Sequence, residues 1–137
     1  MNIIINYPQP SEIEELYTHY ISGNGVITLD KRDVNAIAFQ AKRLLSLSVT
    51  GEGEQAICDA FNSLSSVLKQ EDISSIDKVL IKIVCSGGIS FGDKEKCQLE
   101  TLMNTFKPDT LFTFGFDENK SSGKDEVIIY ILASITK

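Results

Sequence analysis

The sequence predicts an α/β fold, in which helices pack on a single layer of mixed, mostly parallel, four-stranded sheet. Two observations support this prediction. Segments with apolar residues at helical spacing alternate along the chain with short apolar segments that are typical of strands. Helical segments also separate the strands predicted at residues 45–49, 79–85 and 111–116, which is the order of parallel strands joined by right-handed crossovers.

The first elements are an apolar segment and a helix. Residues 3–5 suit a short strand or an arm, so we assign residues 1–10 to an N-terminal arm and residues 11–137 to one domain. The sequence Ser11-x-x-Glu14 has the pattern of a capping box, which predicts a helix start, and Gly23 supplies a stop. The apolar residues between them share one helical face: Ile13, Leu16, Tyr17, Tyr20 and Ile21.

A second helix is predicted to begin at Asp30. The Asp30 side chain can accept a free backbone N–H as an N-cap, and Asp33 lies in the first turn, where the helix dipole favours negative charge. Residues 45–49 then alternate between leucine or valine and serine, which predicts a strand with one solvent-facing side. After a glycine-containing turn, the apolar spacing of residues 56–64 predicts a third helix.

Residues 79–85 are almost continuously apolar and therefore predict a central strand covered on both faces. A fourth helix follows, ends before Pro108, and is expected to bury Cys97 among its inward-facing residues. The last two strands are predicted at residues 111–116 and 127–133. Their charged connection is too long for a two-residue hairpin, so these strands need not be sheet neighbours.

Composition restricts the possible partners. The formal net charge is −6 with acidic and basic residues interspersed, which argues against nucleic acid or an anionic membrane surface as a partner. The three cysteines are odd in number and lack a C-x-x-C pair, so we expect free thiols in the reducing cytoplasm. The residues form no recognisable catalytic, cofactor or metal-binding pattern, and we expect neither a cofactor nor a metal.

Five motifs occur in an order that resembles one known family. Residues 25–34 read Gly-Val-Ile-Thr-Leu-Asp-Lys-Arg-Asp-Val and resemble the Gly-x-Ile-Asn-Leu-Asp-x-x-Asp-Val loop of FtsZ, the bacterial tubulin homologue. The other four motifs follow in order: Gly51-Glu-Gly53, Leu80-Ile-Lys-Ile-Val-Cys-Ser-Gly-Gly88, Thr113-Phe-Gly-Phe-Asp117 and Asp125-Glu-Val-Ile-Ile-Tyr-Ile-Leu-Ala133. Residues 14–134 are therefore similar to the C-terminal domain of FtsZ.

This resemblance implies a chorismate-mutase-like sheet with the strand order 1-4-2-3. It also implies that Asp30 and Asp33 face a neighbouring filament subunit together with Thr28, which replaces the family's asparagine. The equivalent carboxylates of FtsZ orient or activate water against the neighbour's GTP. The residues by themselves favour the other interpretation, in which Asp30 and Asp33 only cap a helix.

The glycine-rich phosphate signature of the FtsZ GTPase domain has no counterpart in these residues, so we expect this chain alone not to bind GTP. The resemblance implies a non-enzymatic, protein-binding module of cell division that docks Thr28, Asp30 and Asp33 on FtsZ or a related polymer subunit. Two alternatives stay open. The chain could be a homo-oligomeric enzyme or small-molecule-binding protein with sites between subunits, or a structural subunit that only self-associates.

Overall fold

The protein is described here by a computed structural model, which covers residues 2–21, 25–121 and 123–136. Within these residues, six strands form one sheet. In chain order they are β1 (Asn2–Asn6), β2 (Gly25–Ile27), β3 (Arg43–Glu52), β4 (Ile76–Ser86), β5 (Leu111–Asn119) and β6 (Glu126–Ile135). The order across the sheet is β1-β3-β6-β4-β5-β2.

Helices cover both faces of this sheet. In chain order they are a 3-10 helix (Pro10–Leu16) that continues into α1 (Tyr17–Tyr20), then α2 (Lys31–Ala38), α3 (Ala56–Leu68) and α4 (Asp93–Met103), with a 3-10 turn at Ile73–Ser75. The larger core lies between the sheet, α3 and α4. The smaller core lies on the other face, where the 3-10 helix, α1 and α2 pack.

The four central strands have the order β3-β6-β4-β5, which confirms the predicted order 1-4-2-3. The strands β3, β4 and β5 share one direction, but β6 lies between β3 and β4 and is antiparallel to both. Among the described strand pairs, only β4 and β5 are parallel neighbours, so "mostly parallel" describes strand directions and not strand pairing. The sheet also exceeds the predicted four strands, because β1 and β2 extend its two edges.

At the N-terminus, the structure decides between the two predicted possibilities of a short strand and an arm. Residues 2–6 form the strand β1, which pairs with β3 in regular antiparallel register. The predicted Ser11 capping box is wrong, because the helix begins after Gln9 and the Glu12 carboxylate accepts the Gln9 backbone N–H at 2.8 Å. The helix is a 3-10 helix as far as Leu16 and becomes an α-helix only from Tyr17. The predicted stop at Gly23 lies outside the described residues.

The predicted packing of β3 and α3 is confirmed. Leu45, Leu47 and Val49 of β3 are buried in the core that α3 covers. The prediction for Cys97 is wrong, because this residue is exposed on α4. Cys85 is buried instead, and burial raises the pKa of its thiol to about 11. No helix among the described residues has both the length and the apolar character needed to cross a membrane.

Candidate functional site

The three residues predicted to contact a partner lie in the connection between β2 and α2. We call residues 27–33 the Asp30 turn. It begins at Ile27 on the edge strand β2, which pairs with the end of β5, and it ends in the first turn of α2. Thr28 is exposed, and Ile27 is 52% exposed although its side chain is apolar. The turn therefore presents both an apolar and a polar side chain to solvent.

Asp30 and Asp33 form a reciprocal cap at the start of α2. Oδ1 of Asp30 accepts the backbone N–H groups of Arg32 at 2.8 Å and of Asp33 at 3.1 Å. Oδ2 of Asp33 accepts the backbone N–H of Asp30 at 2.9 Å. This arrangement satisfies donors that a helix start otherwise leaves unpaired. The structure thus confirms the capping role that the sequence predicts for Asp30.

Leu29 fixes the middle of the turn to the sheet. Its side chain is buried in the smaller core, although both of its chain neighbours are exposed. The space for it exists because residue 115 of β5 is a glycine: a Cβ there would lie 2.6 Å from Cδ1 of Leu29. This contact was not predicted from the sequence. Its signal is a glycine inside an otherwise apolar strand, which often marks a close approach.

Contacts from the rest of the fold also position α2. The Lys78 ammonium group donates hydrogen bonds to the carbonyl oxygens of Ala36 at 2.5 Å and Phe39 at 3.0 Å, where the helix leaves carbonyls unpaired. The Tyr17 hydroxyl group also donates a hydrogen bond to Oδ1 of Asn35, within α2, at 2.6 Å. Both ends of α2 therefore have defined hydrogen-bond partners, and the Asp30 turn is attached to a fixed helix.

A buried ion pair lies on β4 and β5, close to the start of the Asp30 turn. Nζ of Lys82 is 3.0 Å from Oδ2 of Asp117, and the two side chains are 2% and 12% exposed. The same ammonium group donates to the carbonyl oxygen of Tyr20 at 3.2 Å. Asp117 in turn pairs with Gly25 of β2 in the sheet register. The Lys82 ammonium group therefore connects β4, β5 and α1 next to the edge strand β2, which leads into the Asp30 turn.

The environment of Asp30 keeps its carboxylate ionised. The hydrogen bond from the Asp33 backbone, followed by bonds from the Arg32 side chain and backbone, lowers the pKa of Asp30 below its usual value. A general base works best when its pKa lies near the operating pH, and this shift moves the group the other way. The geometry therefore suits a charged helix cap better than a group that accepts a proton.

We expect the contribution of Asp30 to stability to depend on pH. Because the pKa of Asp30 is lowered in the folded state, the ionised cap stabilises the fold fully at pH values above its ordinary pKa of 3.8. This contribution is lost as the pH falls through the lowered pKa. Asp30→Ser keeps a capping oxygen without the charge. Wild type should therefore melt slightly above this variant at pH 7, and the difference should shrink at about pH 2.

Thermal unfolding followed by circular dichroism at both pH values measures this difference. Asp109→Ser removes an exposed carboxylate away from the turn and serves as the control, for which we expect no such convergence. If wild type and Asp30→Ser differ by the same amount at both pH values, the charge of Asp30 has no role in stability.

Comparisons with known proteins show similarity in structure but not in sequence. No protein-family model matches the sequence, and no curated protein matches it. An empty FtsZ dimer from M. jannaschii has a TM-score of 0.62 at 19% identity and covers 90% of this chain and 36% of that chain. The FtsZ W319Y mutant from M. jannaschii gives 0.64 at 18% identity, covering 90% and 37%.

TubZ from Bacillus thuringiensis serovar israelensis, in a GTPγS-form protofilament, is also similar, with a TM-score of 0.57 at 12% identity, covering 93% of this chain and 34% of that chain. The chain thus spans about a third of the length of the solved proteins that it resembles. Sequence identities this low establish similarity of fold alone. The helices and sheet described above therefore form the fold of the C-terminal domain of FtsZ.

Proposed function

We propose that this chain is a cytoplasmic protein-binding module that docks on a subunit of an FtsZ-like or tubulin-like filament through the Asp30 turn. The observation that supports docking most directly is an exposed surface on a fixed backbone. Ile27 and Thr28 face solvent, while the buried Leu29 and the cap at Asp30 hold the residues between β2 and α2. A preorganised turn loses little conformational entropy on binding, so more of its contact energy contributes to affinity.

The comparisons support a partner of this class. An FtsZ dimer and a TubZ protofilament are among the similar structures, so proteins with this fold occur in assemblies. The Asp30 turn also resembles in sequence the loop of FtsZ that faces the neighbouring subunit of the filament. A chain that presents one half of such a head-to-tail interface would cap or modulate a filament. The free cysteines at positions 58, 85 and 97 suit a reducing compartment such as the cytoplasm.

Sedimentation of FtsZ from the source organism, polymerised with GTP, tests the docking. We expect the wild-type chain either to sediment with the polymer or to reduce the amount of FtsZ in the pellet. Asp30→Ser removes a charge but keeps a cap, and Thr28→Arg adds a long cation to the exposed turn. Each substitution should weaken the effect by about tenfold or more, because a contact with a charged group is lost or opposed.

Two matched controls change the same residue types outside the turn. Asp109→Ser and Thr101→Arg alter exposed residues in the α4–β5 connection and on α4, and both should act as wild type does. Melting temperatures near that of wild type would show that all four variants are folded. The docking proposal fails if wild type has no effect on FtsZ, or if the turn variants and their controls affect assembly equally.

The structure gives less support to the small-molecule alternative. A cavity of about 300 Å³ lies between the start of α3 and the start of α4. Its described lining contains neither arginine nor histidine and combines Lys94 with Glu54, Glu95 and Asp125. Oδ1 of Asp125 already accepts the Gly88 backbone N–H at 2.7 Å. A lining of this composition does not favour the enzyme or small-molecule alternative, for which we would expect arginine or histidine side chains.

A further inference from the structure

The residues of the edge strand β1 include none of the features that usually prevent further strand pairing. It pairs with β3 along its whole length, and no described strand lies on its other side. Natural sheet edges are commonly short, irregular or charged, which prevents pairing with other chains. The opposite edge strand, β2, has three residues and an irregular register. By contrast, β1 has five residues in regular register and no charged side chain.

The side chains of β1 are also apolar and accessible. Ile3, Ile4 and Ile5 are 40%, 51% and 39% exposed. Ile3 and Ile5 lie opposite Val49 and Leu47 of β3, so they extend the face of the sheet that α3 covers. Ile4 lies opposite Ser48, on the other face. A strand added next to β1 would therefore shield apolar surface on both faces of the sheet.

The sequence of β1 favours a second copy of the same strand as the added strand. Asn2-Ile-Ile-Ile-Asn6 reads the same in both directions. Antiparallel pairing centred on Ile4 therefore places Ile4 opposite Ile4 of the partner subunit, and each outer asparagine opposite an asparagine. Such self-complementarity is the property of a two-fold interface. We propose that β1 pairs with β1 of a second copy of this chain, so that two sheets join edge to edge in a symmetric dimer.

The dimer interface lies at the opposite edge of the sheet from β2 and the Asp30 turn. Dimerisation through β1 therefore does not depend on docking to a filament, and the two can be tested with different variants of the chain.

Substitution of Ile4 by residues of opposite charge tests both the interface and its two-fold symmetry. Light scattering after size exclusion, over micromolar to millimolar concentrations, should show a monomer–dimer equilibrium for wild type. Ile4→Lys and Ile4→Glu each place like charges directly opposite one another at the two-fold axis, so each should weaken dimerisation by at least about tenfold. An equimolar mixture of the two variants should restore the dimer, because lysine then lies opposite glutamate.

Leu111→Lys and Leu111→Glu are the matched controls, because Leu111 is a 68% exposed apolar residue at the start of β5. These variants should dimerise as wild type does, and circular dichroism should show all variants to be folded. Three results would overturn the proposal: a wild-type chain that is monomeric throughout, Ile4 variants that dimerise as well as wild type, or a mixture that fails to restore the dimer.

Discussion

Lys82→Ala should lower the free energy of unfolding by about 3–5 kcal/mol, the range seen when one partner of a buried ion pair is removed. The substitution leaves the Asp117 carboxylate largely buried without its counter-charge and removes the donor to the Tyr20 carbonyl oxygen. The loss is large in comparison with the total stability of a domain, which is typically about 5–15 kcal/mol. Urea unfolding followed by circular dichroism would measure it.

Two further variants distinguish the effect of breaking the buried ion pair from the effect of losing any lysine. Lys120→Ala breaks an exposed pair with Glu118 at 3.6 Å and should change the unfolding free energy by at most about 1 kcal/mol. Lys82→Met combined with Asp117→Leu removes both charges and keeps apolar volume, so it should recover most of the stability lost in Lys82→Ala. If Lys82→Ala costs no more than Lys120→Ala, the buried pair contributes little.

Gly51→Ala should destabilise the fold by about 2–3 kcal/mol, because the new methyl group meets backbone that cannot rotate away. A Cβ on Gly51 would lie 2.4 Å from the carbonyl oxygen of Ala56, at the start of α3. Either the end of β3 or the first turn of α3 must move to make room. Because both elements contribute to the larger core, the strain should reduce overall stability, which thermal and urea unfolding would show.

Gly88→Ala is the control for this substitution. The nearest atom to a Cβ on Gly88 is Oδ1 of Asp125 at 3.4 Å, an ordinary contact with a side chain that can adjust. The expected change in unfolding free energy is within about 0.5 kcal/mol. Equal destabilisation by the two alanines would mean that the close approach at Gly51 does not restrict packing.

Much of the fold could be predicted from the sequence, because its strongest patterns result from burial. The alternation of apolar residues in β3 and the continuous apolar residues of β4 reflect one covered face and two covered faces. The order of the four central strands followed from the resemblance to FtsZ. The edge strands were harder to predict, because β2 has only three residues and β1 is exposed on both faces. Neither strand therefore shows the regular alternation of buried and exposed residues that marks a strand in a sequence. The 3-10 helix was also missed, because apolar spacing does not distinguish its first turns from those of an α-helix.

The site was predicted only in part, and for a comparable reason. The capping role of Asp30 depends on local hydrogen bonds, which the spacing of Asp30 and Asp33 already specifies. The contact of Leu29 with Gly115 and the pair of Lys82 with Asp117 join residues from distant parts of the chain. The sequence marks such residues as exceptions, a glycine in one strand and a lysine in another, but it does not show what they contact.

The position of β6 has a consequence for synthesis of the protein. This strand is the last in the sequence, but it lies between β3 and β4, and Arg43 pairs with Ile135. A growing chain can complete neither ladder until residue 135 has left the ribosome. Until then α3 and α4 lack a complete sheet on which to pack, and the apolar strands β3 and β4 expose unpaired edges. Strand pairs so distant in sequence form slowly, so protection by chaperones should matter most in the interval before residue 135 has emerged.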